Sequence, residues 1–101
     1  MPGPRARKVD IAQPNIVAAL RARGFPVVSL ALCGQGIPDL LTATRDGRLV
    51  LLEVKSQPRA KLTPLEERFH LTFAGCPVFV VHTAAEALAL VADGEARLSS
   101  G

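Results

Sequence analysis

Pro38-Asp39-Leu40-Leu41-Thr42-Ala43-Thr44-Arg45-Asp46-Gly47-Arg48-Leu49-Val50-Leu51-Leu52-Glu53-Val54-Lys55 decides how the rest of the chain is read. Two apolar runs flank Arg45-Asp46-Gly47-Arg48, and Asp-Gly between such runs signals a hairpin. Asp39–Thr44 and Leu49–Lys55 are therefore expected to be antiparallel strands. Two acids and a lysine stand in these strands among almost wholly apolar neighbours. Strand interiors disfavour Glu and Lys, and acids are seldom fully buried without a partner. Such residues need a reason to be there.

The loop length decides whether the acids meet. A two-residue loop at Asp46-Gly47 pairs Arg45 with Arg48 and sets Asp39 opposite Val54, leaving Glu53 on the other sheet face. A three-residue loop, with Gly47 left-handed and a bulge, pairs Thr44 with Arg48 and sets Asp39 opposite Glu53. Gly47 permits the second register without demanding it. Only that register, or a compensating bulge near Pro38, builds a site. There Asp39 and Glu53 could chelate a hard divalent cation such as Mg²⁺, with the Val54 carbonyl as a third protein ligand. Lys55 would orient a water, or stabilise charge developing on a phosphate. The competing reading is an ion pair at the hairpin's end, with Lys55 neutralising one acid.

Outward from the hairpin, Val27–Leu32 reads as a strand leading into the loop Cys33-Gly34-Gln35-Gly36-Ile37-Pro38. Upstream, Ile16, Val17 and Leu20 recur at helical spacing, so a helix is expected from about Asp10–Gln13 to Arg23. Asp10 and Gln13 could form a capping box, although Pro14 fits better directly after a cap at Gln13. Downstream, Thr63-Pro64-Leu65-Glu66 opens a second helix, with Thr63 as cap and Glu66 at the capping-box position. That helix ends near Gly75. Val78–His82 is a strand, and Thr83 with Glu86 opens a last helix to about Val91, stopped by Asp93-Gly94. The order α-β-β-β-α-β-α implies an α/β domain, one sheet with helices packed on it. Residues 10–94 form this domain, between a basic arm (1–9) and a tail (95–101), both expected to be flexible.

Composition narrows the class. With 101 residues, 49% apolar and 21% charged, the chain fits one core. Two cysteines, Cys33 and Cys76, are too few for a secreted disulfide framework, and point to a reducing cytoplasm and to small buried apolar roles. No apolar run is long enough to span a bilayer, and the first ten residues lack the apolar stretch of a signal peptide. A net charge of +3 and a pI near 9.4, with nine of the twelve basic residues arginine, are compatible with nucleic acid. With no Trp or Tyr and only four Phe, base stacking is disfavoured and backbone contact favoured. Arg5, Arg7, Lys8, Arg59 and Lys61 are candidate phosphate contacts; each alone also reads as solvated surface.

GQGIPDLL, GRLVLLEVK and LTPLEERFH, in this order, resemble the VRR-NUC branch of the PD-(D/E)XK nucleases, particularly small phage-type members related to Holliday junction resolvases. The likeness spans roughly residues 8 to 92. It implies a restriction-endonuclease-like mixed sheet and an Mg²⁺-dependent DNA endonuclease, with Mn²⁺ able to substitute. It also implies Asp39, Glu53 and Lys55 as catalytic positions; the expected location is the cytoplasm, that of the host if the chain is phage-encoded. Many relatives carry Gln where this chain has Glu66, so Glu66 is either a metal or water contact or simply the helix cap. The wider superfamily places an acid or amide in the first helix, and Gln13 is the matching candidate, with an ordinary helix-end polar residue as its alternative.

Other residues carry weaker signals. Gly34 and Gly36 could let backbone N–H groups approach a phosphate, or could simply form a sharp turn. His70 reads as a surface or half-buried helix residue before it reads as a base, and His82 is assigned no role. Branched DNA needing paired cuts would suit a C2 homodimer with one site per protomer. The alternatives to a nuclease are a catalytically silent DNA-binding or assembly module on the same fold, and a protein-binding domain whose ExK is an ion pair.

Overall fold

A computed structural model describes residues 10–92; the expected basic arm (1–9), Asp93-Gly94 helix stop and tail (95–101) lie outside them. The elements are α1 (Gln13–Ala22), β1 (Val27–Ser29), β2 (Leu40–Ala43), β3 (Leu49–Val54), α2 (Pro64–Thr72), β4 (Val78–Val81) and α3 (Ala84–Ala92). This is the expected α-β-β-β-α-β-α order. The strands form one mixed sheet in the order β1-β2-β3-β4. Both hairpin pairs are antiparallel, whereas β3 and β4 are parallel, joined through α2.

Several boundaries fall one to three residues from expectation, α2 ending at Thr72 instead of near Gly75, and two of the differences have local reasons. The strand expected through Leu32 stops at Ser29, whose hydroxyl accepts the Ala31 N–H at 3.3 Å. The chain then turns, with the Cys33 N–H donating to the Leu30 carbonyl. At α1 neither expected cap forms: Ala12 is the N-cap residue, without a side-chain hydrogen bond, and Gln13 lies inside the first turn. Asp10 uses its carboxylate on the Ala12 N–H instead, at 2.9 Å.

One sheet face builds the core. Leu40, Val50, Leu52, Val54 and Val81 pack against Ile16 and Leu20 of α1 and Ala87, Leu90 and Val91 of α3. Alternation along each strand sends the intervening residues to the opposite face. There Val28, Leu41, Leu51 and Val78 stand side by side across all four strands. On α2 the buried residue is Glu66, an acid. Cys33 and Cys76, expected to be buried, are exposed: one lies in the loop after β1 and the other in the turn before β4.

Candidate active site

The hairpin loop takes three residues. The Thr44 N–H donates to the Arg48 carbonyl at 2.8 Å, and the Gly47 N–H donates back to the Thr44 carbonyl at 2.9 Å. Gly47 has a φ of +87°, the left-handed value a bulged loop needs. Thr44 secures the turn twice more, bonding to the Asp46 carboxylate and accepting the Arg48 N–H at 3.0 Å. The strands then pair as Ala43↔Leu49 through Leu40↔Leu52. One step further along this register sets Asp39 opposite Glu53.

Both acids are buried, Asp39 at 5% exposure and Glu53 at 1%. One oxygen of Asp39 accepts the Val54 N–H at 2.8 Å, which ties the start of β2 to the end of β3. Glu53 is left short of partners, for its Oε1 is buried and receives no hydrogen bond. Burial foremost, then the neighbouring Asp39 and Glu66 carboxylates, pushes the Glu53 carboxyl up to about 9 against the partial relief given by Lys55. Without a cation Glu53 is therefore protonated at neutral pH.

Lys55 belongs to the same cluster but points first at α2. Its Nζ donates to Glu66 Oε1 at 2.9 Å and stands 4.0 Å from Glu53 Oε2. Its own N–H donates to the Val81 carbonyl, so β4 holds its backbone. Of the two readings for Glu66, the structure shows the helix cap, and it adds a contact with Lys55. Glu66 completes the capping box, accepting the Thr63 N–H at 2.8 Å and donating its own N–H to the Thr63 hydroxyl. The same Oε1 binds Lys55. Partial burial opposes ionisation of Glu66, but the Thr63 N–H and Lys55 outweigh it and hold the carboxyl below the usual range.

These residues line a cleft of about 980 Å³, together with Val54, Gly34, Gln35, Gly36, Ser56 and Asp10. Gln13 does not line it; its side chain is buried with Oε1 unpartnered. Asp10, three residues earlier, lines the cleft, its carboxylate accepting the Ser56 N–H at 2.9 Å and the Ser56 hydroxyl at 3.3 Å. The sequence reading missed it because a contact across 46 positions has no local signature. His70 has a buried Nε2 without a partner, whereas His82 pairs with Glu86 at 2.9 Å.

The acids of the cleft outnumber its one lysine, so phosphate would be poorly received there unless a cation joined them. Among the described residues no group of three or more His, Cys, Asp or Glu side chains could hold a metal alone. The available donors still fit Mg²⁺: two facing carboxylates and a nearby carbonyl leave the other positions to water, a common arrangement for that ion. The unpartnered Glu53 oxygen is the local demand such an ion would satisfy.

No family model matches the chain, and no curated protein matches it. A solved structure described as a VRR_NUC domain superposes with a TM-score of 0.64 at 31% identity, over 79% of this chain and 89% of that one. The chain belongs to the VRR-NUC family. As a VRR-NUC member it is a nuclease-type domain with the restriction-endonuclease-like fold, and nucleic acid is the substrate class its fold implies.

Proposed function

We propose that the protein is an Mg²⁺-dependent DNA endonuclease that selects branched structures such as Holliday junctions. The observation that carries this reading is Asp39 opposite Glu53, with an orphaned Glu53 oxygen beside Lys55 in an open cleft. Asp39, Glu53 and the Val54 carbonyl would hold the cation, with Mn²⁺ able to replace it. When bound, Mg²⁺ supplies Lewis-acid polarisation of the phosphoryl group and lowers the pKa of a bound water. Water oxygen forms the new bond to phosphorus as the phosphorus–oxygen ester bond breaks, and the leaving oxygen takes up a proton. Lys55 stabilises the charge that accumulates on the phosphoryl oxygens and orients the attacking water. Glu66 acts through Lys55, holding its ammonium at the cleft wall.

A homodimer accompanies this reading, because paired cuts in a branched molecule need two sites. The row Val28–Leu41–Leu51–Val78 supports it, with Leu49 and Val80 exposed on the same face. This uncharged strip offers nothing to phosphate. A second copy could present the same strip across a two-fold axis.

The deciding experiment incubates labelled four-way, flap, nicked and duplex DNA with Mg²⁺, Mn²⁺ or EDTA, using the wild type and Asp39→Ala. Metal-dependent cleavage of branched DNA, lost in the variant, is expected. Binding without turnover in any metal would leave a silent DNA-binding module.

A further inference from the structure

Gly34, Gln35 and Gly36 hold φ values of +69°, +58° and +78°, and Gln35 is the non-glycine with positive φ among the described residues. The Ile37 N–H donates to the Gly34 carbonyl at 3.1 Å, closing a tight turn with Gln35 and Gly36 at its centre. Two left-handed central residues make this a type I′ turn, whose centres favour Gly, Asn or Asp. Gln is sterically disfavoured there.

Local packing gives no reason for it. Gln35 is exposed, and its carboxamide bonds to no described residue. The loop beneath is fixed, since a Cβ on Gly36 would come within 2.2 Å of the Leu65 carbonyl oxygen. Gln35 is thus held at the rim of the cleft by a seat on α2. The N–H groups of Gln35 and Gly36 also donate to no described residue. An independent sign that this cleft takes a ligand is the buried Glu53 oxygen inside it, which has no partner. A strained residue at such a rim points to function.

We propose that Gln35 touches the substrate, its carboxamide N–H₂ and the adjacent backbone N–H groups donating to phosphate oxygens of the strand flanking the bond to be cut. An amide suits this place. A lysine or arginine would be drawn to the cleft carboxylates, and a carboxylate would repel the phosphate. The proposal rests on the nuclease reading and adds a phosphate subsite to it.

The test compares wild type, Gln35→Gly, Gln35→Asn and Gln35→Glu in three measurements: thermal melting, binding of labelled DNA in Ca²⁺, and cleavage in Mg²⁺. Gln35→Gly should melt at the same or a higher temperature, because the left-handed strain is gone. It should bind DNA about 3–10-fold more weakly, the worth of one or two hydrogen bonds, and to the same degree for different base sequences. KM should rise more than kcat falls. Gln35→Asn, which tolerates the turn and keeps the amide, should recover part of the loss, and Gln35→Glu should be weakest. Binding by Gln35→Gly within twofold of wild type would overturn the subsite while leaving the nuclease intact. A lower melting temperature for Gln35→Gly would overturn it too, making Gln35 a support of the loop. Wild type that binds no DNA would instead fail the nuclease reading itself.

Discussion

Asp39 faces Glu53 across the β2–β3 hairpin because Thr44 pairs with Arg48, five residues back along each strand. The loop geometry is thus a condition for the chemistry, transmitted along the ladder by the two-residue alternation of side chains. Gly47 is the residue that permits it.

Gly47→Ala tests that link. The position is open, with nothing within 4 Å of an added Cβ, so the penalty comes from the φ of +87° alone. A non-glycine residue there should cost about 1–2 kcal/mol, read by urea denaturation. If the loop answers by shortening to two residues, Asp39 and Glu53 part, and Mg²⁺ binding measured by calorimetry should disappear. Retained Mg²⁺ binding at reduced stability would show that the ladder holds its register without the loop.

The Glu53 carboxyl predicts an unusual pH response. Folded, it keeps its proton up to about 9, whereas unfolded it releases it near the ordinary Glu value. The folded state therefore binds more protons between those limits, and metal-free stability should fall as pH rises from about 5 to about 9. Asp10, Glu66 and Glu86, all held low, act in the opposite sense and only below the ordinary carboxyl range. Melting curves of wild type and Glu53→Gln should diverge across the higher window, with the variant flatter. Mg²⁺ should raise the wild-type melting temperature more at pH 8 than at pH 5.5. Parallel curves would mean that burial does not perturb Glu53.

Lys55 and Glu66 separate chemistry from support. Lys55→Ala should lower cleavage about 10²–10³-fold with Mg²⁺ affinity largely kept, and excess Mg²⁺ should not restore it. Glu66→Gln should be mild, because its amide oxygen still accepts from Thr63 and from Lys55. Glu66→Ala loses the capping box, about 1 kcal/mol, and releases the Lys55 ammonium, so both stability and kcat should drop. Full activity in Lys55→Ala would reduce the ExK to a structural ion pair.

Salt should report how DNA is held. If backbone phosphates supply the affinity, binding in Ca²⁺ should weaken steeply with salt and similarly across base sequences. Substituting exposed Arg59 or Lys61 with Ala should make that slope shallower by roughly one each. A flat response with strong sequence preference would mean that base edges dominate.

The apolar strip predicts assembly. Leu49→Asp or Val80→Asp places a charge where a second copy would pack, and should convert a dimer to a monomer by light scattering without unfolding the core, which lies on the other face. A wild-type monomer at micromolar concentration would remove the dimer from the proposal.

Much of this protein was determined locally, within a few residues of chain. Thr63 and Glu66 cap α2 because their side chains reach only each other's backbone, and the apolar runs beside Asp46-Gly47 could hardly avoid a hairpin. Element order and the cluster of acids with lysine follow from such short-range preferences. Other features needed the folded chain. Both loop lengths satisfied the local rules, and only the folded hairpin shows that Thr44 pairs with Arg48. The pull of Glu66 on Lys55 arises because the β3–α2 connection folds back over eleven positions, and the Asp10–Ser56 contact joins the segment before α1 to the one after β3. Cys33 and Cys76, apolar enough for a core, lie exposed because their turns carry them away from it. Local preference acts on neighbours in sequence, whereas the site is made of residues that only packing brings together.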